Sequence, residues 1–572
     1  MMSRAVACRF VLLLLAALWG LVPSAQAQAQ GDAVVQQQKL NRVYQLLERL
    51  YVDDVEMAPL VESAITAMLE ELDPHSAYLG AEEMKGVQAS FDGEFSGIGV
   101  EFSLLRDTIV VANTIAGGPA EQVGVLPNDR IVRIDTLDAV GMRMGDVPRY
   151  LRGERGTKVG IDVMRHGVAG QLHFVITRDR IPLNTVDAAY MPAEGIGYIK
   201  INRFGRTTMT EFLEAFHGFD RCEGLIVDLR GNGGGLLEQA ILLAEFLLPR
   251  GSTIVSTEGR AVTPTSFEAR GGEKFRGNLV VLIDESSASA SEIVSGAVQD
   301  WDRGVIVGRP SFGKGLVQRQ IPLGDGSTVR ITIARYHTPS GRVIQRPYEN
   351  GKRREYYLDH LRRYDDRVRD SLDAGAPLYE TLRSHRTVRG GGGITPDVIV
   401  AEDTTGVTNY YAELVRRGVV NEFVLSSLDA RRAELERLYP DFETFAAQFE
   451  PDEAMLDELV TLGCGRGVPY DDAQYIESKS FIRLHLKALL GQRLYGVGAF
   501  YRVMNEGRPG SYSRALEILS DWETQDRLLL DIRNYALFFL HSCRFCIPLW
   551  AKSIPRIRYI GYDISNLVSQ RE

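Results

Sequence analysis

Residues 279–301, "LVVLIDESSASASEIVSGAVQDW", decide the fold, because a continuous apolar run meets a cluster of serines and then an apolar-periodic segment. The apolar run is typical of a strand buried on both faces of a parallel sheet. The segment that follows has the spacing of a helix. The sequence therefore predicts a strand, a tight turn and a helix, with four serines in and beside the turn: Ser286, Ser287, Ser289 and Ser291.

Ser289 has two competing interpretations. Ser289 and Glu292 fit the capping-box pattern, in which a serine side chain satisfies a free N–H group in the first turn of a helix. The turn also follows a strand of an α/β sheet, where ligands bind beyond the carboxyl ends of the strands. A helix N-terminus further stabilises negative charge, such as the oxyanion formed by attack on a peptide carbonyl. The residues alone leave capping and catalysis open.

A catalytic serine needs a base, and three side chains are candidates. His75 and His337 have no local signature that connects them to Ser289. Lys314, within "GRPSFGKGLVQRQIPL" (308–323), has apolar neighbours that disfavour its charge. Such surroundings can lower a lysine pKa from ~10.4 to ~7–8, where it can accept a proton. The alternative to a catalytic base is an ordinary surface lysine in a loop made flexible by its glycines.

The chain has 572 residues, enough for several domains, and a net charge of −10. Nucleic-acid binding needs clustered Lys and Arg, so this charge argues against nucleic acid as the main partner. Two further apolar runs, at 225–231 and 304–308, extend the predicted parallel α/β sheet. Residues 33–90 and the chain beyond 403 have helical spacing.

The first thirty residues have the layout of a secretory signal peptide. Arg4 and Arg9 precede an apolar run from about residue 10 to 22, and small residues follow at 25–27. The sequence therefore predicts export to the periplasm or cell envelope, and an uncleaved signal would associate the chain with a membrane. Of five cysteines, only Cys543 and Cys546 form a C-x-x-C pair, which predicts a local disulfide or two buried thiols.

Changes in pattern divide the chain into five segments. These are a signal peptide (1–29), an N-terminal helical region (31–92), a β-rich module (93–182), an α/β core (183–402) with a charged insert at 346–390, and a C-terminal helical region (403–572).

Seven ordered motifs between about residues 35 and 400 resemble those of the C-terminal processing peptidases, or tail-specific proteases, which are PDZ-containing serine endopeptidases. The motifs are "LDPHSAYL", "GIGVEF", "DLRGNGGG", "ESSASASEI", "SFGKGLVQ", "ARYHTPSGRVIQ" and "GITPD". The resemblance implies a crotonase-like or Clp-protease-like α/β core. A PDZ domain would be inserted between that core and the N-terminal helical region.

The resemblance also implies a role for each site residue. Ser289 would be the nucleophile, Lys314 the general base, and Gln318 the residue that orients the lysine amine. Four residues of extended strand would separate Lys314 and Gln318 by ~13 Å, so the chain needs a bend or a helical turn, and the sequence leaves open which. The oxyanion donors would be backbone amides, those of Ala290 and of Gly233 or Gly234. No metal or organic cofactor is expected, because these groups cover every chemical role.

In the PDZ domain, the resemblance implies a carboxylate-binding loop at Gly97, Ile98, Gly99 and Val100. PDZ domains bind a peptide as an extra strand and capture its terminal carboxylate with backbone N–H groups. The expected partners are therefore protein substrates bound by their C-terminal tails. Two alternatives are a catalytically silent PDZ scaffold and a crotonase-type acyl-CoA enzyme. The sequence leaves open the substrate and whether the chain forms a homo-oligomer.

Overall fold

The computed structural model describes residues 23–525, apart from 106, 116, 166, 272–273 and 363–374, together with residue 529. Most of the predicted signal peptide, part of the charged insert and the Cys543/Cys546 pair lie outside the described residues. No helix in the described part of the chain is long and apolar enough to cross a bilayer.

The N-terminal region contains three helices and one short strand. They are α1 (Pro23–Leu50), α2 (Met57–Glu70), β1 (Ala77–Leu79) and α3 (Ala81–Asp92). The strand differs from the wholly helical segment predicted for 31–92, because residues 77–79 pair antiparallel with residues 328–330 of the core. The pairing explains the difference, because residues 77–79 gain their strand conformation from a partner in the core.

The predicted PDZ module is an antiparallel sheet with two short helices. Its elements are β2 (Glu94–Gly97), β3 (Val100–Leu105), β4 (Thr108–Thr114), α4 (Pro119–Gln122), β5 (Arg130–Ile134), β6 (Leu137–Asp138), α5 (Val147–Leu151), β7 (Lys158–Met164), β8 (Gln171–Thr177) and β9 (Asp179–Pro182). β2 and β9 pair where the chain enters and leaves the module. The main sheet has the order β3-β4-β5-β7-β8, so β3 is an edge strand.

The core contains two large sheets and one two-stranded sheet. Its elements are β10 (Val186–Ala193), β11 (Ile196–Ile201), α6 (Thr208–His217), β12 (Gly224–Asp228), α7 (Leu237–Leu247), β13 (Thr253–Gly259), β14 (Val262–Glu268), β15 (Asn278–Ile283), α8 (Ala290–Asp300), β16 (Val305–Gly308), β17 (Leu316–Pro322), β18 (Thr328–His337), α9 (Arg353–Arg362), β19 (Leu378–Glu380), β20 (Thr387–Arg389) and β21 (Val398–Ile399). The central sheet has the order β10-β11-β12-β15-β16-β21 and is parallel from β11 onward. A second sheet has the order β1-β18-β13-β14, and β17 also pairs with β18.

The C-terminal region is helical. Its helices are α10 (Asn409–Arg416), α11 (Val419–Leu438), α12 (Phe442–Gln448), α13 (Glu453–Gly465), α14 (Asp472–Tyr495), α15 (Val497–Glu506), α16 (Ser511–Ser520) and α17 (Trp522–Gln525). The fold class predicted from the sequence, an α/β core with a β-rich module and helical ends, is confirmed.

Both faces of the central sheet are covered, because successive strand residues point to opposite sides. Leu225 and Val281 belong to the core that includes α7 and α8. Their neighbours Ile226 and Val280 pack instead with Ile518 and other residues of α16. The continuous apolar runs in the sequence therefore correspond to strands between two layers of helices.

Candidate active site

The Ser289 turn joins β15 to α8 in an uncommon backbone conformation. Ser289 has φ 55° and ψ −110°, a region that residues other than glycine adopt only when surrounding contacts hold them there. The Glu292 carboxylate supplies one such contact, accepting a 2.7 Å hydrogen bond from the Ser289 N–H group. The Glu292 N–H in turn donates a 2.9 Å hydrogen bond to the Ser289 carbonyl, so the two residues of the predicted capping box are in contact. Strain of this kind is frequent at functional sites.

The other serines of the cluster have structural surroundings. The Ser287 hydroxyl donates to the Leu229 carbonyl (2.8 Å), and the Ser291 hydroxyl donates to the Asn232 carbonyl (2.9 Å). Both serines are fully buried, whereas Ser286 is exposed. Of the four, Ser289 alone lines the large cavity described next.

One cavity of about 640 Å³ brings together all the residues that the sequence predicted for catalysis and oxyanion binding. Its lining includes Ser289, Ala290, Lys314, Gln318, Gly233 and Gly234. They come from the start of α8, the loop before β17, β17 itself and the turn after β12. The resemblance to a protease active site therefore corresponds to a single location in the fold.

The glycine turn after β12 lies against Ser289. Gly234 has φ +100°, and a Cβ atom there would lie 2.9 Å from the Ser289 Cβ atom, so glycine is required for this approach. The Gly234 N–H already donates to Asn232 Oδ1 (2.9 Å). Open space surrounds the Cβ position of Gly233. Of the two alternatives predicted for the second oxyanion donor, Gly233 is therefore better suited.

Lys314 is half-buried in the cavity wall. Burial and the nearby Arg330 guanidinium lower the pKa of its amine to about 8. The amine donates a 3.0 Å hydrogen bond to Gln318 Oε1. A lysine with this pKa is partly neutral near pH 8 and can accept a proton.

The strand pairing is irregular beside Gln318. Val317 pairs with Ala334 and Gln318 pairs with Thr332, so Ile333 of β18 is an extra, unpaired residue, as in a β-bulge, and bulges change the local twist and direction of side chains. Gly313, before Lys314, has φ +86°. The chain therefore bends before Lys314 and continues as an extended strand, and no helical turn lies between Lys314 and Gln318.

A distant turn orients the Gln318 amide. Gln318 Nε2 donates to the His75 carbonyl (2.7 Å), which leaves Oε1 towards Lys314. The Asp73 carboxylate holds this turn by accepting hydrogen bonds from the His75 N–H (2.9 Å), the Ser76 N–H (3.0 Å) and the Ser76 hydroxyl (2.5 Å). It also accepts one from Thr332 Oγ1 (3.1 Å), the cross-strand partner of Gln318. Sequence reasoning noted "LDPHSAYL" but did not predict this role.

The two histidines considered as bases have other surroundings. Burial and the nearby Lys314 charge lower the pKa of His75 to about 3, and its Nε2 atom lies 3.3 Å from the Tyr356 hydroxyl. His337 Nδ1 lies 3.3 Å from the Gly341 carbonyl. Neither residue lines the cavity that contains Ser289. Lys314 is therefore the better candidate for the base.

Glu292 connects the two halves of the site. Its fully buried carboxylate accepts hydrogen bonds from the N–H groups of Ser289 (2.7 Å), Gly313 (2.6 Å) and Lys314 (2.9 Å), and from the Ser311 hydroxyl (2.5 Å). Burial raises the pKa of Glu292, and these donors oppose the increase. The capping-box pattern identified Glu292 in the sequence, but not its bonds to the loop of Lys314.

The predicted carboxylate loop of the β-rich module lies between β2 and β3. The carbonyls of Ile98 and Gly99 accept hydrogen bonds from the N–H groups of Ala120 and Ile115, both 2.9 Å. A small cavity of about 60 Å³ adjoins the loop, and its lining is Phe95, Ile98, Gly99, Val100, Phe102, Pro148, Leu151 and Arg152. This cavity could bind an apolar side chain of a peptide that lies along the edge strand β3.

The described residues contain no cluster of three or more His, Cys, Asp or Glu side chains arranged to hold a metal ion.

Four segments of the chain match known families. Residues 195–349 match Peptidase family S41, residues 96–173 match the PDZ domain, and residues 21–83 match the Activating protease CtpB N-terminal domain. Residues 410–496 match a family of unknown function. The peptidase segment contains both Ser289 and Lys314.

Curated relatives are similar over more than half of the chain. The carboxy-terminal-processing protease of Bartonella bacilliformis is 38% identical over 336 residues, which cover 57% of this chain and 77% of that protein. The carboxy-terminal processing protease CtpB of Bacillus subtilis is 33% identical over 327 residues, covering 56% and 68%. Among solved structures, the photosystem II D1 C-terminal processing protease shares 29% identity with a TM-score of 0.30, covering 53% of this chain and 89% of that one.

Proposed function

The chain belongs to the C-terminal processing peptidases, a family of PDZ-containing serine proteases, and on that premise we propose an exported endopeptidase that uses Ser289, Lys314 and Gln318. Substrate proteins would be cleaved near their C-termini through an acyl-enzyme. The proposal depends mainly on the Lys314 amine, which has a pKa of about 8, donates to Gln318 and lines the same cavity as Ser289. The layout of residues 1–29 supports export.

In the proposed mechanism, neutral Lys314 removes the proton from the Ser289 hydroxyl as its oxygen attacks the scissile carbonyl carbon. The N–H groups of Ala290 and Gly233 donate to the oxyanion, which is usually a large contribution to catalysis. Lys314 then gives the proton to the departing amine, and an ester to Ser289 remains. A water molecule, deprotonated by Lys314, hydrolyses the ester, and Ser289 recovers its proton. Gln318 keeps the amine oriented throughout.

The PDZ module supplies the proposed specificity for chain ends. A substrate tail would pair with the free edge of β3, and its carboxylate would accept hydrogen bonds from the N–H groups of loop 97–100. The last apolar side chain would fill the small cavity beside Phe95 and Leu151. Helix α3 leads directly into β2, and its residues Gln88 and Phe91 line the catalytic cavity. One helix therefore joins the tail-binding module to the proposed site of cleavage.

The test compares the parent protein with Ser289→Ala, Lys314→Ala and the control Ser286→Ala, which changes an exposed serine of the same cluster. Each is incubated with a reporter protein that carries a free or an amidated C-terminus. We expect the parent and Ser286→Ala to cleave the free-tailed reporter, and the other two variants to lose activity by about 10³-fold or more.

Two results would contradict the proposal in different ways. Cleavage by Ser289→Ala at the parent rate would refute the serine mechanism, because catalysis would then not depend on Ser289. Equal cleavage of the free and amidated reporters by the parent would refute carboxylate capture, even with the serine mechanism intact.

A further inference from the structure

The C-terminal helices contact the residue that begins the proposed oxyanion turn. Arg230 immediately precedes Gly231, and its Nη2 atom donates a 2.9 Å hydrogen bond to Asn505 Oδ1, near the end of α15. Its Nη1 atom donates to the Ser511 hydroxyl (3.2 Å), at the start of α16. Both partners belong to the region outside the seven protease motifs.

The same guanidinium is tied to the backbone that leads into the turn. Arg230 Nε and Nη2 both donate to the Asp228 carboxylate, which also accepts from the Arg230 N–H (2.9 Å). Asp228 is in turn held by the Tyr198 hydroxyl (2.6 Å), and the Arg230 carbonyl accepts from the Lys200 ammonium. Since a guanidinium is a rigid fork of donors, its orientation and that of the Arg230 backbone are fixed together.

Arg230 retains partial access to a cavity on the side of the C-terminal helices. Its side chain is 27% exposed, and it lines a cavity of about 410 Å³ between the strand ends and α15–α16. Asn505 contacts the guanidinium from that side. The Asn505 amide is itself oriented, because its Nδ2 atom donates to the Tyr190 hydroxyl (3.1 Å), so Oδ1 is directed at Arg230.

We infer that Asn505 is a positioning residue for the oxyanion turn, acting through Arg230, so that the C-terminal helical region contributes to catalysis without touching the substrate. This inference rests on the proposed role of Gly233. Loss of Asn505 Oδ1 would leave one Nη2 donor of Arg230 to water, and only Asp228 and Ser511 would then hold the guanidinium. The turn that starts at Gly231 would then move relative to Ser289. Displacements of about 1 Å can reduce catalysis ~10²-fold.

The test uses full-length Asn505→Ala with a control on the same helix. Tyr501→Phe removes a hydrogen bond of similar length, from the Tyr501 hydroxyl to Asp187 Oδ2 (3.0 Å), which joins α15 to the same sheet but does not reach Arg230. We expect Asn505→Ala to lower kcat about tenfold with KM changed less than twofold, and Tyr501→Phe to retain the parent kcat. Asn505→Asp keeps an acceptor for Arg230 and should restore kcat to within about threefold of the parent.

The inference is wrong if Asn505→Ala keeps the parent kcat, or if Asn505→Asp is as impaired as Asn505→Ala. Melting temperatures distinguish positioning from loss of folding, because Asn505→Ala should still be folded at the assay temperature although it loses two hydrogen bonds where Tyr501→Phe loses one. If Asn505→Ala does not fold, Ser511→Ala removes the other contact to Arg230 and should lower kcat in the same way.

The Ser289→Ala variant is measured in the same assay. An active Ser289→Ala refutes the proposed function, whereas an inactive one with normal kcat for Asn505→Ala and Ser511→Ala refutes only this inference.

Discussion

The nucleophile side and the base side of the candidate site are built differently. Ser289 lies between a strand and a helix that adjoin it in the sequence, and Glu292, three residues later, holds its backbone. Lys314 depends on Gln318, which depends on the carbonyl of His75, 243 residues earlier in the chain. The first side is local, and the second is assembled by the fold. The difference teaches that a short stretch of sequence can specify the nucleophile side, whereas the base side requires the complete fold.

The largest expected effect tests whether the two sides act as one unit. We expect Lys314→Ala and Ser289→Ala each to lower kcat/KM by about 10³-fold or more, and the double variant to be no worse than Ser289→Ala. The physical reason is that every proton transfer proposed for the amine belongs to the formation or hydrolysis of the ester on Ser289, so removing both groups costs no more than removing the serine. The measurement is hydrolysis of a peptide substrate, with melting curves to verify folding. A double variant much less active than either single one would mean that the sides act separately.

The next effect tests the carboxylate that joins the sides. Glu292→Gln keeps the shape of the side chain. Its NH₂ group, however, would face backbone N–H donors that hydrogen-bond to the carboxylate in the parent protein. We expect a loss of about 1–3 kcal/mol in the free energy of unfolding, as for a buried group left unsatisfied, and a lower kcat. Chemical denaturation and kinetics measure both. Glu285→Gln, at a partly exposed ion pair of the preceding turn, is the control. It should lose less free energy of unfolding and less kcat.

A smaller effect, on the pH dependence of kcat/KM, tests the role of Gln318. Neutral Lys314 is the active form, so kcat/KM should rise with pH and level off above about 8. Gln318→Glu puts a negative charge beside the amine, favours its protonated form and should shift the rising limb by about one pH unit or more to higher pH. Gln318→Ala adds no charge and should lower kcat without that upward shift. Identical pH profiles for the two variants would contradict contact between Gln318 and the amine.

The smallest effect concerns the distant turn. Burial raises the pKa of Asp73, but hydrogen bonds from Ser76, His75 and Thr332 together lower it below its ordinary value. The carboxylate therefore contributes stability above about pH 4, which is lost as the pH falls. We expect Asp73→Asn to destabilise the protein by about 1–2 kcal/mol at pH 7, less at about pH 2 because the carboxylate is then becoming protonated, and to lower kcat severalfold.

The control for the turn is Asp325→Asn. Asp325 forms a similar turn with Ser327 (2.9 Å and 2.5 Å) on the hairpin between β17 and β18, away from the site. Denaturation at the two pH values and peptide hydrolysis are measured for both variants. If Asp325→Asn lowers kcat as much as Asp73→Asn, the Asp73 turn has no special connection to Gln318.

Much of the fold could be predicted, because the relevant signals are local. The strand, turn and helix of 279–301 and the neighbouring buried strands lie as the apolar runs indicate. The structure also brings the residues implied by the motifs to one cavity, although their chemical roles stay predictions. The bulge at Ile333, opposite Gln318, could not be predicted, because it depends on the register between β17 and β18.

Other features needed long-range information. β1 gains its strand conformation from pairing with residues 328–330, and nothing near residue 77 specifies that partner. The contact of Asn505 with Arg230 joins residues 275 positions apart. Neither carries a pattern in the sequence, because each depends on how separately formed elements pack together.

The double covering of the central sheet sets a lower limit on the size of any useful fragment. Without α15 and α16, the face that carries Tyr198, Ile226 and Val280 would be exposed to water. Exposed apolar surfaces of this extent promote aggregation. Efforts to crystallise a minimal protease or to screen inhibitors should therefore retain these helices, even though they lie beyond the segment that matches the peptidase family.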